Sequence, residues 1–198
     1  EIGCGDGHFL KMLSDLGARA IGFEPSSTFQ IAANQSGIEV YSEHFSFDSA
    51  PNLETEVDLI VLRHVLEHLE SPLQVLQSLQ TGYSDHPAPQ FLFLEVPNAS
   101  QLLEDNLYFD FFNDHVHYFS HASLSEALRR TGWRPLERLG DDDEFLRMVA
   151  VNAGHRGVEP GPPDGQAWAG ERDAVVAVAL GFRLQFDRWK GALVSLLN

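Results

Sequence analysis

Glu1-Ile2-Gly3-Cys4-Gly5-Asp6-Gly7 opens the chain and runs into a helical pattern beginning at His8. Glycines at alternate positions let a backbone turn sharply out of a strand and approach a ligand without Cβ clashes, which a nucleotide-like cofactor at a strand's carboxyl end requires. The spacing of the third glycine separates the cofactor classes. A dinucleotide fingerprint places it three residues after the second, at position 8, but His8 stands there and Gly7 comes after two. The next apolar run, Ile21-Gly22-Phe23, ends on Glu24. That is where a carboxylate must sit to accept both hydroxyls of a ribose.

Outward from this pair, short apolar runs alternate with helical stretches as far as about residue 98. Such alternation predicts a Rossmann-like, doubly wound α/β sheet, mostly parallel, with helices on both faces. The expected elements are a truncated first strand, a helix over 8–16, a strand over 20–23, a helix over 28–36 and strands over 39–41 and 58–62. A helix over 72–79 and a strand over 90–95 complete this half. Residues 99–122 read as a loop leading to a helix over 123–130, stopped by Gly132 and capped near Ser120, His121 or Ser123. Extended runs over 134–139 and 144–151, split by Gly140-Asp141-Asp142-Asp143, predict a closing antiparallel hairpin. Seven strands are expected in all. Residues 1–153 form the expected domain, and 154–170, with five Gly and three Pro, a linker. Over 171–198, Val175, Val178, Ala179, Phe182, Phe186, Trp189 and Leu193 recur at helical steps. Since the chain opens inside a strand without Met, and its last helix carries an unpartnered apolar stripe, an interior piece of a longer protein is expected.

Composition excludes several classes. The 198 residues are 43% hydrophobic, with 14 Phe and 3 Trp, enough for a packed core, and Cys4 is the only cysteine, so no internal disulfide exists. No apolar run reaches membrane-spanning length and no targeting segment is evident, so a cytoplasmic location is expected. The formal charge of −16 opposes a partner held through phosphates, and neither nucleic acid nor membrane is expected as a partner. Residues 1–98 hold 14 acidic against 3 basic side chains, which tolerates a cationic ligand.

The glycine loop and Glu24 together resemble the class I S-adenosylmethionine-dependent methyltransferases, over about residues 1–151. The resemblance implies S-adenosylmethionine as cofactor. Glu1, Gly3, Cys4, Gly5 and Gly7 would wrap its methionine part, Glu24 would hold the ribose, and Pro25 with Ser26 would border the adenine. His44 and Phe45, at the exit of the third family strand, would also border that ring. The family's last strand is antiparallel at the sheet edge, like the hairpin expected here.

Arg63-His64-Val65-Leu66-Glu67-His68-Leu69 follows the strand at 58–62. Alone, His64-x-x-Glu67-His68 is a zinc-peptidase pattern, in which two histidines on one helical face hold metal and Glu is the base. That motif sits within a long helix and needs a third ligand, whereas here Ser71-Pro72 interrupts the chain soon after. The segment also looks like the methyltransferase turn H-x-L-E-H, which implies that Arg63, His64 and Val65 line the cofactor pocket. Glu67 and His68 would then open the next helix as structural residues.

A dense aromatic stretch, Tyr108 to Ser120, follows the strand at 90–95 and is expected to roof the pocket. Within it Asp114-His115-x-His117-Tyr118-Phe119-Ser120 resembles an element of the sugar C-methyltransferases of deoxysugar pathways, in which the matched histidine is a general base. This implies His115 as base, with His117 and Tyr118 as further catalytic candidates, and a small-molecule acceptor such as a nucleotide-linked deoxysugar. The family motif has Tyr, His and Glu where this chain has Phe112, Asn113 and Asp114. A cofactor-binding module without catalysis is therefore the main alternative. His115, His117 and His121 are a lesser metal-binding option, and no metal is assigned.

Overall fold

Period-two alternation divides the central strands between two cores. Ile60, Leu62, Leu92, Leu94, Val96, Leu146, Met148 and Ala150 face one side; Val61, Phe91, Phe93, Val149 and Val151 face the other. A sheet apolar on both faces must be covered on both, and the computed structural model shows helices doing so. It describes residues 1–27, 38–46, 57–83, 90–104, 112–139 and 144–154. The expected helix over 28–36, Tyr108 through Phe111, the linker beyond Gly154 and the final helix lie outside them.

The strands are β1 (Ile21–Phe23), β2 (Glu39–Tyr41), β3 (Leu59–Arg63), β4 (Phe91–Pro97), β5 (Trp133–Leu139) and β6 (Phe145–Asn152). β1 pairs with β2 and β3 with β4 in parallel, while β6 runs antiparallel between β4 and β5. Between β1 and β3, Ile2 makes single parallel bridges to Phe23 and Leu62. The described residues thus hold six strands where seven were expected, with the isolated bridges of Ile2 in place of the first. The Ile2 N–H donates to the Val61 carbonyl on one side, and the Phe23 N–H donates to the Glu1 carbonyl on the other.

Helix α1 (His8–Asp15) places Phe9, Met12 and Leu13 on the Val61 side. α2 (Pro72–Gly82) and α4 (His121–Arg130) cover the opposite face with Leu76, Leu79, Leu124, Ala127 and Leu128. α4 begins at His121, two residues before the expected start, because Ser120 and Ser123 form a reciprocal capping box. A further helix, α3 (Ala99–Glu104), occupies what was expected to be loop. Asn98 Oδ1 accepts the Ser100 N–H at 3.1 Å and so starts it. Among the described residues no helix is long and apolar enough to cross a membrane.

Trp133 fastens the larger core. Its side chain is 1% exposed and its indole Nε1–H donates to the Leu76 carbonyl at 2.8 Å, tying β5 to α2. Trp133→Ala is expected to cost about 3–5 kcal/mol through the cavity alone. For a domain of this size that lowers Tm by roughly 10 °C or more in a thermal melt, and an unchanged Tm would contradict the packing described.

Candidate functional site

The glycine loop turns over the carboxyl ends of β1 and β3. Gly3 has φ +71°, and a Cβ there would stand 2.5 Å from Val65 Cγ2, so backbone conformation and neighbour both demand glycine. Gly5, at φ +55°, has open space where its Cβ would lie: the loop presents bare backbone on that side. Its N–H donates to Glu24 Oε2 at 2.9 Å, and the Ser26 N–H donates to Oε1 at 2.8 Å. Glu24, 7% exposed, thereby clamps the loop to the end of β1. Pro25 is exposed beside it.

The Cys4 thiol is buried against Gly22, and burial pushes its pKa up to about 12. Phe45, partly buried, packs edge-on against the buried Phe23 at 5.0 Å between ring centres, while His44 is exposed. A cavity of about 450 Å³ is lined by Arg19, Ile21, Asp58 and Leu59 and also by Glu1 and Phe45, whereas Glu24 and His115 do not line it.

A row of charges crosses the carboxyl ends of the strands on the α1 side. Register aligns Arg63 of β3 with Glu95 of β4, and Glu95 with Arg147 of β6. Arg63 Nη2 lies 2.9 Å from Glu95 Oε1, Arg147 Nε donates to Glu95 Oε2, and Arg63 Nη1 is 3.7 Å from Glu1 Oε1. The Arg63 guanidinium also lies 4.5 Å from the centre of the Phe9 ring. Arg63, expected to line the pocket, is committed to this network. Burial pushes the Glu1 carboxyl up to about 7, and Glu1 Oε2 is buried without a hydrogen-bond partner.

His64 sits at φ +52°, a left-handed conformation that is rare outside glycine. Its Nε2 is 3.2 Å from Glu95 Oε1 and its Nδ1 is 3.5 Å from Glu67 Oε1. Burial by itself lowers the imidazole pKa, but these two carboxylates outweigh it and hold it up to about 9. Glu95, although desolvated, is held down to about 2 by His64, Arg63 and Arg147. A carboxyl depressed from 4.5 to about 2 stabilises the fold above its unfolded pKa, and that contribution disappears as pH falls through the folded value. Unfolding free energy should fall by the order of 3 kcal/mol between about pH 5 and pH 2. Glu95→Gln should flatten that acid limb in denaturant titrations, and an identical limb in both proteins would contradict the assignment.

Glu67 and His68 do not open the following helix. They lie in a separate 3₁₀ turn, Leu66–His68, and α2 begins only at Pro72. The pattern His64-x-x-Glu67-His68 therefore lacks the continuous helix that would align both histidines toward one ion, and His64 faces Glu95 and Glu67 instead.

Val116 and His117 N–H groups both donate to the Glu67 carbonyl, at 2.9 and 3.1 Å, hooking residues 112–118 onto this turn. His115 is thereby set with its ring 4.7 Å from that of His68, 5.0 Å from that of Phe112 and 6.1 Å from that of Tyr118. The Tyr118 hydroxyl donates to the Phe112 carbonyl at 3.2 Å. His117 turns away from this group, its ring 6.1 Å from Phe119. Phe112, Val116 and Tyr118 expose apolar surface around His115.

Sequence reasoning missed Glu95. The available signal was an acid within Phe91-Leu92-Phe93-Leu94-Glu95-Val96, a run otherwise fit for complete burial; such an acid needs partners on neighbouring strands.

A family profile described as a methyltransferase domain matches residues 1–138. The C-methyltransferase NovU of Streptomyces niveus is 29% identical over 141 residues, 69% of this chain and 33% of that protein. A ubiquinone biosynthesis O-methyltransferase of Ruegeria sp. strain TM1040 is 29% identical over 84 residues, 40% of this chain and 34% of its own length. The chain thus spans about a third of these curated relatives. Among solved structures, the magnesium protoporphyrin IX methyltransferase of Synechocystis PCC 6803 with bound SAH aligns at TM-score 0.55 and 15% identity, covering 76% of this chain and 71% of that one. At that identity the likeness is one of fold.

Proposed function

The chain belongs to the methyltransferase-domain family, and from that premise we propose that it transfers the methyl group of S-adenosylmethionine to a small acceptor, a nucleotide-linked deoxysugar, with His115 receiving the proton the acceptor loses. The observation that carries this reading is the clamp of Gly5 on Glu24. It fixes bare loop backbone and a buried carboxylate side by side at the strand ends, the donor and acceptor set that a nucleoside with a charged tail requires.

Glu24, at the end of β1, would accept the two ribose hydroxyls. Gly3, Gly5 and Gly7 with the Cys4 backbone would follow the methionine part. Glu1 Oε2, buried and unpartnered, offers an acceptor to its ammonium. Pro25, His64 and Val65 border the same face. His44 would reach the adenine edge only from its exposed position, and Phe45 would support that edge from its place against Phe23.

The cofactor when bound supplies a methyl group on a sulfonium, already a good leaving group. The chain's own task is alignment, plus removal of a proton where the nucleophile needs it. His115 would be that acceptor: the Glu67 carbonyl hook holds its loop, and an imidazole is the side chain suited to proton exchange near neutral pH. Tyr118, engaged with the Phe112 carbonyl, would position the loop rather than exchange a proton, and His117 stands behind His115. The similarity to the C-methyltransferase NovU supports carbon as the methylated atom.

The second reading is a module that binds cofactor without transferring methyl. It is favoured by Phe112, which carries no phenol where the C-methyltransferase element has one. Transfer from methyl-tritiated S-adenosylmethionine to a panel of nucleotide-linked keto-sugars separates the two. Acceptor-dependent incorporation is expected, and none in a sample that binds S-adenosylhomocysteine would establish the silent module.

A further inference from the structure

Three polar atoms beside the proposed base are buried without a hydrogen-bond partner: Glu67 Oε1, Glu67 Oε2 and His115 Nδ1. Glu67 is 1% exposed, and a carboxylate so far from water is costly unless something positive or hydrogen-bearing faces it. His64 Nδ1, at 3.5 Å, approaches Oε1 from one side. On the other side stand His68 and His115, and the three residues offer one ligand atom each, all within 4.8 Å of one another.

We propose that Glu67, His68 and His115 form a binding site for a divalent transition-metal ion of the Zn²⁺ class. The donor set, two imidazoles and one carboxylate, suits a borderline ion better than Mg²⁺ or Ca²⁺, which prefer oxygen ligands throughout. Ligands held at about 2.0–2.2 Å from one ion stand at most about 4.4 Å apart, so small side-chain adjustments close the site. His68 is already set for the task. Its Nδ1 lies 3.0 Å from the Asp114 carbonyl, which can only accept, so Nδ1 carries the hydrogen and Nε2 keeps its lone pair for the ion. Asp114 Oδ2, 3.6 Å from the same nitrogen, reinforces that tautomer. Entry is open, because His68 lies at the surface.

The site deepens the reading of His115 and does not depend on it. A neutral imidazole has a single free lone pair; with that pair on the ion, His115 cannot also receive the acceptor's proton. Metal occupancy would therefore hold the proposed base out of action.

The test is titration of ZnCl₂ into the chelator-stripped chain by calorimetry, with far-UV circular dichroism confirming the fold of every sample. One saturable site is expected. Glu67→Gln and His115→Ala should each weaken it by about 100-fold or more, since even outer-shell partners are worth 10–100-fold. His115 lies in a surface-exposed loop, so its variant remains informative if Glu67→Gln fails to fold. His117→Ala and His121→Ala should bind zinc as the unmodified chain does. No saturable zinc in the folded chain would overturn the proposal, as would equal affinity in His115→Ala or an equal loss in His117→Ala. S-adenosylhomocysteine titrated into the same samples keeps the outcomes apart: zinc bound without the nucleoside refutes the methyltransferase reading alone, and the reverse refutes the metal site alone.

Discussion

His115→Ala lowers methyl transfer by about 10²–10⁴-fold while leaving affinity for S-adenosylhomocysteine within about twofold, the range a positioned general base contributes. The separation follows from the geometry. His115 belongs to a loop fixed to the Glu67 carbonyl and makes no contact with the glycine loop or Glu24 among the interactions described. Removing the imidazole therefore touches proton transfer and spares the nucleoside site. A buried packing histidine would behave differently, with a lower Tm and little change in turnover per folded molecule. Single-turnover rates in folded protein decide it, and an unchanged rate would remove His115 from the chemistry.

Glu24→Ala acts on the other half of the site and weakens S-adenosylhomocysteine binding by roughly 100-fold or more. Hydrogen bonds to a charged group are worth about 1.5–3 kcal/mol each, and the substitution removes the carboxylate meant for two hydroxyls. It also releases Gly5 and Ser26, whose N–H groups both end on that carboxylate, so the loop loses its preset shape. Glu24→Gln, which keeps one acceptor oxygen, should lie between. Equal affinity in the wild-type and alanine proteins would place the nucleoside elsewhere.

Local chemistry made much of this legible in advance. The spacing of Gly3, Gly5 and Gly7 is a backbone requirement, and all three occupy positive φ. Glu24 at the end of β1 is likewise set by position along one strand. The run Leu59-Ile60-Val61-Leu62 announces burial on both faces by its composition, as found. What escaped reading depends on distant neighbours. Glu95 acquires its meaning from Arg63 and Arg147 on two other strands, and only sheet register brings them opposite. Glu67 looked like a turn-fixing acid. Its backbone carbonyl does that work, and its carboxylate is left beside His68 and beside His115, a residue far along the chain. The helix Ala99–Glu104 was legible in principle, since Asn98 is a good cap, but the aromatic density beyond it favoured a loop. The inward turn of the Cys4 thiol was not legible either, since it depends on the room that Gly22, on β1, leaves beside it.

Calorimetric titration of the purified chain with S-adenosylhomocysteine tests the central claim most directly, because the product analogue resists turnover and requires no knowledge of the acceptor. Micromolar, one-to-one binding that is lost in Glu24→Ala is the predicted result. A folded chain that takes up no S-adenosylhomocysteine would contradict it.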